Sequence, residues 1–242
     1  MIKAKYKAIL FDLDGTLVPM DMHKFTEGYF KDLYKSVNMT ELPVGDFIDA
    51  IWQGTYAMMK NDGSKTNRDV FWDVFGQKFG FSKEQVDEID QKCLAFYGNE
   101  FREAKRFCMD NPLAAKAVAI AREKADKVIL ATNAIFPLVG QLTRLEWVGL
   151  KEEDFDLITC YEKEYFCKPN PKYFLSIMEK MGLKPEECLM IGNDEREDML
   201  CASMAGIDSI LVTDTMIPYK DKPWDGEKVT FAELIDVLNG LE

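Results

Sequence analysis

Five short apolar runs punctuate the chain: Ala8-Ile9-Leu10-Phe11, Val128-Ile129-Leu130-Ala131, Leu157-Ile158-Thr159-Cys160, Cys188-Leu189-Met190-Ile191 and Ser209-Ile210-Leu211-Val212. Continuous apolar runs, unlike alternating ones, suit strands covered on both faces. Between the later runs the apolar positions take helical spacing. Leu138 to Trp147, Pro171 to Met181 and Arg196 to Ala205 each fit one helix, and Phe231 to Leu238 fits a last one before Asn239-Gly240. Pro171 suits a first helical turn, and Gly182 suits a stop after Met181. Strands alternating with helices predict an α/β fold built on a doubly wound parallel sheet.

From about Pro19 to Lys105 that rhythm breaks. The stretch has few β-branched runs and many aromatics, and Phe47, Ile48 and Ile51, like Val70, Phe71, Val74 and Phe75, recur at helical spacing. Roughly 85 residues with their own apolar faces are enough for a small domain. The expected organisation is a core of residues 1–18 and 106–242, with an all-helical insert of residues 19–105. Asn61-Asp62-Gly63-Ser64 reads as a loop within the insert. The insert's aromatics read as its own core.

Composition narrows the partners. The chain has 242 residues and 47% hydrophobic content, enough for one large domain or two smaller ones. A net charge of -12 and a pI near 4.7 argue against wrapping a nucleic-acid backbone. A small anionic substrate needs only a local positive site and stays compatible. None of the six cysteines forms a CxxC pair, so buried reduced thiols and a cytoplasmic location are expected. No stretch approaches the roughly 20 apolar residues of a membrane span. Met1 to Lys7 leads straight into the first run, and no signal peptide is expected. A monomer is the default expectation.

The chemistry gathers where the apolar runs end. The first is followed by Asp12-Leu13-Asp14-Gly15-Thr16. If the strand stayed extended, Asp12 and Asp14 would share a face. Two close carboxylates repel, so a divalent cation, a shared proton or a basic side chain must compensate. Thr132 and Asn133 close the second run, Lys168 stands in Cys167-Lys168-Pro169-Asn170-Pro171, and Asn193-Asp194-Glu195-Arg196-Glu197-Asp198 follows the fourth. In an open α/β sheet the C-terminal strand ends converge on one crevice. Asp12, Asp14, Thr132, Lys168, Asp194 and Asp198 are therefore expected together.

These residues resemble the haloacid dehalogenase-like hydrolase superfamily. Asp12-Leu13-Asp14-Gly15-Thr16 looks like its first motif, Thr132 its second, Lys168 its third, and the acidic run from Asn193 to Asp198 its fourth, in the family's order. The resemblance implies a Rossmann-like core and a phosphatase mechanism. Asp12 would attack phosphorus as nucleophile, and Asp14 would act as general acid and base. Gly15 and Thr16 would turn beside the substrate. Thr132, Asn133 and Lys168 would hold the phosphate, with Lys168 also pairing Asp12. Mg²⁺ would be bound by Asp12, by the backbone carbonyl of Asp14, and by acids of the fourth motif. That motif often begins Gly-Asp, whereas here Gly192-Asn193-Asp194 leaves two readings. Either Asn193 or Asp194 is the ligand beside Asp198, and Asp194 is favoured because a charged oxygen binds Mg²⁺ better than an amide.

Spacing carries the resemblance further. Asp14 and Thr132 are separated by 117 residues, Thr132 and Lys168 by only 35. An insertion after the first motif resembles the family's class I, whose helical cap closes over a small phosphorylated metabolite, as in phosphoglycolate phosphatase-type members. Rival readings are a phosphomutase on the same core, a 2-haloacid dehalogenase, a receiver domain and a non-catalytic phosphate-binding protein. Asp14 argues against dehalogenation, because the family's dehalogenases lack that second acid. The position of the acids and the large insert argue against a receiver domain. Glu195 and Glu197 read as acids favouring a helix N-terminus, and His23 as an exposed loop residue.

Overall fold

The computed structural model describes residues 2–39 and 42–242. Among these residues, six strands form one sheet: β1 (Ala8–Phe11), β2 (Lys127–Leu130), β3 (Leu157–Ile158), β4 (Cys188–Gly192), β5 (Asp208–Val212) and β6 (Glu227–Val229). Their spatial order is β3-β2-β1-β4-β5-β6, and every pairing is parallel. This is the doubly wound α/β architecture expected from the apolar runs. β1 lies at its centre, flanked by β2 and β4, so the switch in winding direction falls beside it.

Register explains why the runs are apolar throughout. Ile9 pairs with Val128 and Leu189, and Leu10 with Ile129 and Met190. One face of the sheet, carrying Ile9, Phe11, Leu130 and Ile191, packs on α5 (Ala114–Lys124) and α9 (Phe231–Asn239). The other, carrying Leu10, Ile129 and Met190, packs on α7 (Lys172–Met181) and α8 (Cys201–Met204). Both faces are dry, and each fully buried side chain of this size contributes about 1.5–3 kcal/mol.

Two strands differ from expectation. β3 is shorter than the run ending at Cys160, although Thr159 N–H still donates to the Leu130 carbonyl at 3.1 Å. β6 has no counterpart among the apolar runs, because two of its three residues are exposed at the sheet edge. The fourth-motif helix also departs from the simple pattern. It opens with a wide π-type turn, Glu195–Leu200, before α8.

Between β1 and α5 come α1 (Met22–Val37), α2 (Val44–Met59), α3 (Asn67–Phe79) and α4 (Lys83–Gly98), then a 3₁₀ segment, Glu100–Phe107. Local signals set these ends. Asp21 caps α1 by accepting from the His23 and Lys24 N–H groups, and Ser82 with Gln85 forms a capping box on α4. His23 is exposed, yet it lies in the first turn of α1 and not in a loop. Asn61 to Ser64 does form the loop between α2 and α3. The chain leaves and re-enters the core side by side. Met20 bridges Cys108 antiparallel, and Met109 N–H donates to the Pro19 carbonyl at 2.9 Å.

Candidate active site

The carboxyl ends of β1, β2 and β4 open into one cavity of about 240 Å³. Asp12, Asp14, Thr132, Asn133, Lys168, Asn193, Asp194 and Asp198 all line it. Asp12 and Asp14 do not share the face of an extended strand. β1 ends at Phe11, and after Asp12 the chain turns, with Val18 N–H donating to the Leu13 carbonyl and Gly15 N–H to the Val18 carbonyl, both at 2.8 Å. A tight loop, not strand alternation, brings both acids to the cavity.

Lys168 is the electrostatic hub. Its Nζ donates to Asp12 Oδ1 at 2.8 Å and to Asp198 Oδ1 at 2.5 Å, and all three side chains are buried. Burial alone would lower the lysine's pKa, but the carboxylates of Asp12 and Asp198 more than offset it and hold the ammonium well above the usual range. Burial raises the Asp12 carboxyl, with Lys168 opposing the rise. Asn133 braces the lysine's loop. Its Oδ1 accepts from Lys168 N–H at 3.2 Å, and its Nδ2 donates to the Lys168 carbonyl at 3.3 Å and to Glu197 Oε2 at 2.8 Å.

The fourth-motif residues divide the work. Asp198 is fully engaged, since Oδ2 also accepts from the backbone N–H groups of Asn193 and Asp194, each at 3.0 Å. Asp194 uses Oδ1 to cap the following turn, accepting from Arg196 and Glu197 N–H, and its Oδ2 takes no hydrogen bond from the described residues. The Asn193 amide is engaged on both of its atoms. Its Nδ2 donates to the Thr215 carbonyl at 2.8 Å, and its Oδ1 lies 3.2 Å from the Thr16 hydroxyl. Gly15 and Thr16 do not wall the cavity; they stand behind it against Asn193.

Three features escaped the sequence reading. Arg144 on α6 (Leu138–Glu146) is wholly buried and pairs with Asp14 Oδ2. Its guanidinium stacks 4.0 Å from the Phe136 ring centroid, and its second arm meets Gln141. Nothing in Leu142-Thr143-Arg144-Leu145 marks it, because α6 buries Gln141, Thr143 and Arg144 while Leu138 and Leu142 lie at its margin. Glu197 is the second. It lines the cavity, and burial pushes its carboxyl up to about 7. Glu195, the third, is buried and accepts from Tyr219 N–H at 2.8 Å and pairs with Lys228 at 3.2 Å. Both glutamates therefore do more than favour a helix N-terminus.

The donor set suits a hard cation. Asp12, Asp14, Asp194, Glu197 and Asp198 face the cavity against the cations Lys168 and Arg144. Burial raises the Asp194 carboxyl too, and a bound cation would favour the ionised form of these crowded acids, which outnumber the two cations beside them. Among the described residues no trio of His, Cys, Asp or Glu is arranged to hold an ion unaided.

Comparison with known proteins identifies the family. A family model for haloacid dehalogenase-like hydrolases matches residues 6–206. The chain belongs to that family. It is 26% identical over 208 residues to a glyceraldehyde 3-phosphate phosphatase of Methanothermobacter thermautotrophicus, covering 85% of each chain. It is 27% identical over 220 residues to the phosphoglycolate phosphatase of Escherichia coli K12, covering 86% of this chain and 81% of the other. Among solved structures, YfnB of Bacillus subtilis superposes with a TM-score of 0.59 at 21% identity, over 97% of this chain and 99% of that one. No helix among the described residues is long and apolar enough to cross a membrane.

Proposed function

We propose that this protein is a Mg²⁺-dependent phosphatase that hydrolyses a small phosphorylated metabolite through an aspartyl phosphate on Asp12. The observation that carries the reading is the buried Lys168 ammonium shared by Asp12 and Asp198, with Asp14 in the same cavity. Relatives that act on glyceraldehyde 3-phosphate and phosphoglycolate support it.

In this reading Asp12 attacks phosphorus, and the ester oxygen leaves with a proton from Asp14. Asp14 then takes a proton from water as water releases phosphate from Asp12. Lys168 favours the ionised form of the nucleophile against the effect of burial and stabilises charge on the transferring group. Thr132 meets the phosphate oxygens. Asn133 acts mainly as a brace for the lysine's loop. Asp12, Asp194 and the Asp14 carbonyl would hold Mg²⁺, which supplies the charge that lets a phosphate approach several carboxylates. The core of residues 1–18 and 106–242 would carry the chemistry, with helices of residues 19–105 closing over it as a monomer's cap. Met22, Trp52, Thr55 and Met59 of α1 and α2 already wall the cavity.

Asp12→Asn is the direct test. With Mg²⁺ and acetyl phosphate, phosphate release is expected to fall by about 10⁴-fold. Activity near the parent rate would overturn the mechanism.

A further inference from the structure

A second cavity, of about 130 Å³, lies between the inserted helices and the Ile135–Pro137 loop. Met22, Trp52, Thr55, Ile135 and Phe136 wall both this space and the cavity that holds Asp12 and Lys168. The two are therefore neighbours across shared side chains. Met22, Thr26, Phe30 and Trp52 also wall an open surface groove, and Trp52 is 51% exposed. A large aromatic thus stands between solvent and both inner spaces.

The second cavity has a chemistry of its own. Ten of its eighteen lining residues are aromatic, and none carries a charged side chain. Burial lifts the phenols of Tyr29, Tyr97 and Tyr161 well above their ordinary value, so they stay neutral. A carboxylate or second phosphate placed here would be a buried charge with no charged side chain in the lining to meet it, since Arg144, behind Phe136, is already paired with Asp14. An apolar group, by contrast, gains free energy by leaving water for such a lining. Dry cavities of roughly 150 Å³ accept a benzene ring, so this space suits one ring or a short branched chain.

We propose that this cavity is the leaving-group subsite, and that the substrate is a phosphomonoester of an aromatic or branched aliphatic alcohol bearing no second charge. The proposal rests on the phosphatase reading above. The P–O ester bond breaks as the Asp12–phosphorus bond forms, the alcohol leaves with the proton of Asp14, and water then returns Asp12 and inorganic phosphate. The esterified oxygen sits at the junction of the two cavities, with the phosphate toward Lys168 and the carbon skeleton among Tyr29, Phe47, Phe75 and Tyr97.

The test is a substrate panel on the full chain with Mg²⁺, following phosphate release. Benzyl phosphate and 3-methylbutyl phosphate are compared with phosphoglycolate and glycerol 3-phosphate, all alkyl esters of comparable leaving-group basicity, and with acetyl phosphate. The expected result is a kcat/KM for the two apolar esters about tenfold or more above the two polar ones. Equal values, or a preference for phosphoglycolate, would overturn the subsite while leaving the phosphatase reading intact. No turnover of any compound, acetyl phosphate included, would overturn the phosphatase reading itself. Cys93 lines this cavity and not the one that holds Asp12. Cys93→Phe fills the space and should lower the ratio of kcat/KM for benzyl phosphate over acetyl phosphate by about tenfold; an unchanged ratio counts against the subsite. Leu33→Phe fills it from α1 and provides the same reading independently.

Discussion

Arg144 and Asp14 show how one buried contact sets the character of the site. Both arms of the guanidinium are satisfied, by Asp14 and by Gln141, in a position with no solvent exposure. Removing one partner of such a pair leaves an uncompensated buried charge and costs about 3–5 kcal/mol. Arg144→Met is therefore expected to lower the urea midpoint by that amount of stability. Adding Asp14→Asn should recover part of the loss. Strict additivity of the two changes, within about 0.5 kcal/mol, would show that the residues are not coupled. The same scale decides between Asn193 and Asp194. The Asn193 amide is committed to Thr215 and Thr16, whereas Asp194 keeps one carboxylate oxygen unengaged. Asp194→Ala is expected to weaken Mg²⁺ binding, read by calorimetry, about tenfold or more, with a smaller effect from Asn193→Ala. The reverse order would make Asn193 the ligand.

The loop that follows β1 depends on one glycine. Gly15 has φ +87°, and a Cβ there would overlap the Asn193 side chain. Left-handed backbone costs an L-residue about 1–2 kcal/mol, and overpacking adds about 1–3 kcal/mol. Asn193 cannot easily give way, because its amide is held at Thr215. Gly15→Ala should therefore destabilise by at least about 2 kcal/mol in urea denaturation, and a loss below about 0.5 kcal/mol would mean that the loop adapts. Elements were legible in the sequence wherever burial was two-sided. β1, β4 and β5 announced themselves as apolar runs because helices cover both faces. β6 did not, because an exposed edge strand is held by backbone pairing and carries little apolar pattern. The wide turn at Glu195 was invisible for a related reason. It is set by Asp194 capping and by contacts to the 217–219 segment, not by local propensity.

Across the whole molecule, burial controls the thiols. Burial pushes Cys108, Cys160, Cys188 and Cys201 up to about 12, and raises Cys93 and Cys167 further still. An unfolded thiol titrates near 9.0. Below pH 9 both states keep the proton and the contribution to stability is fully present. Between pH 9 and 12 the unfolded chain loses protons first, so stability falls as pH rises. Denaturation midpoints should decline across that window. At pH 8 a thiol reagent should modify the five buried cysteines of the native protein slowly, the half-buried Cys108 sooner, and all six once it is unfolded; fast labelling of more than one thiol in the native chain would contradict the burial.

By itself the sequence determined the sheet's central strands, the helical character of the long insert, and the set of acids, threonine and lysine at the strand ends. Each is a local matter: apolar runs and helical periods follow from burial, and the order of the motifs survives in one dimension. Tertiary structure decided the rest. It turned Asp14 toward an arginine 130 positions away, drew Glu195 and Glu197 inward, and turned Asn193 toward the loop that carries Gly15. It also enclosed an uncharged aromatic cavity between segments distant in the chain. Such features depend on which side chains face each other once helices pack. That information is not periodic, so no pattern along the chain reports it.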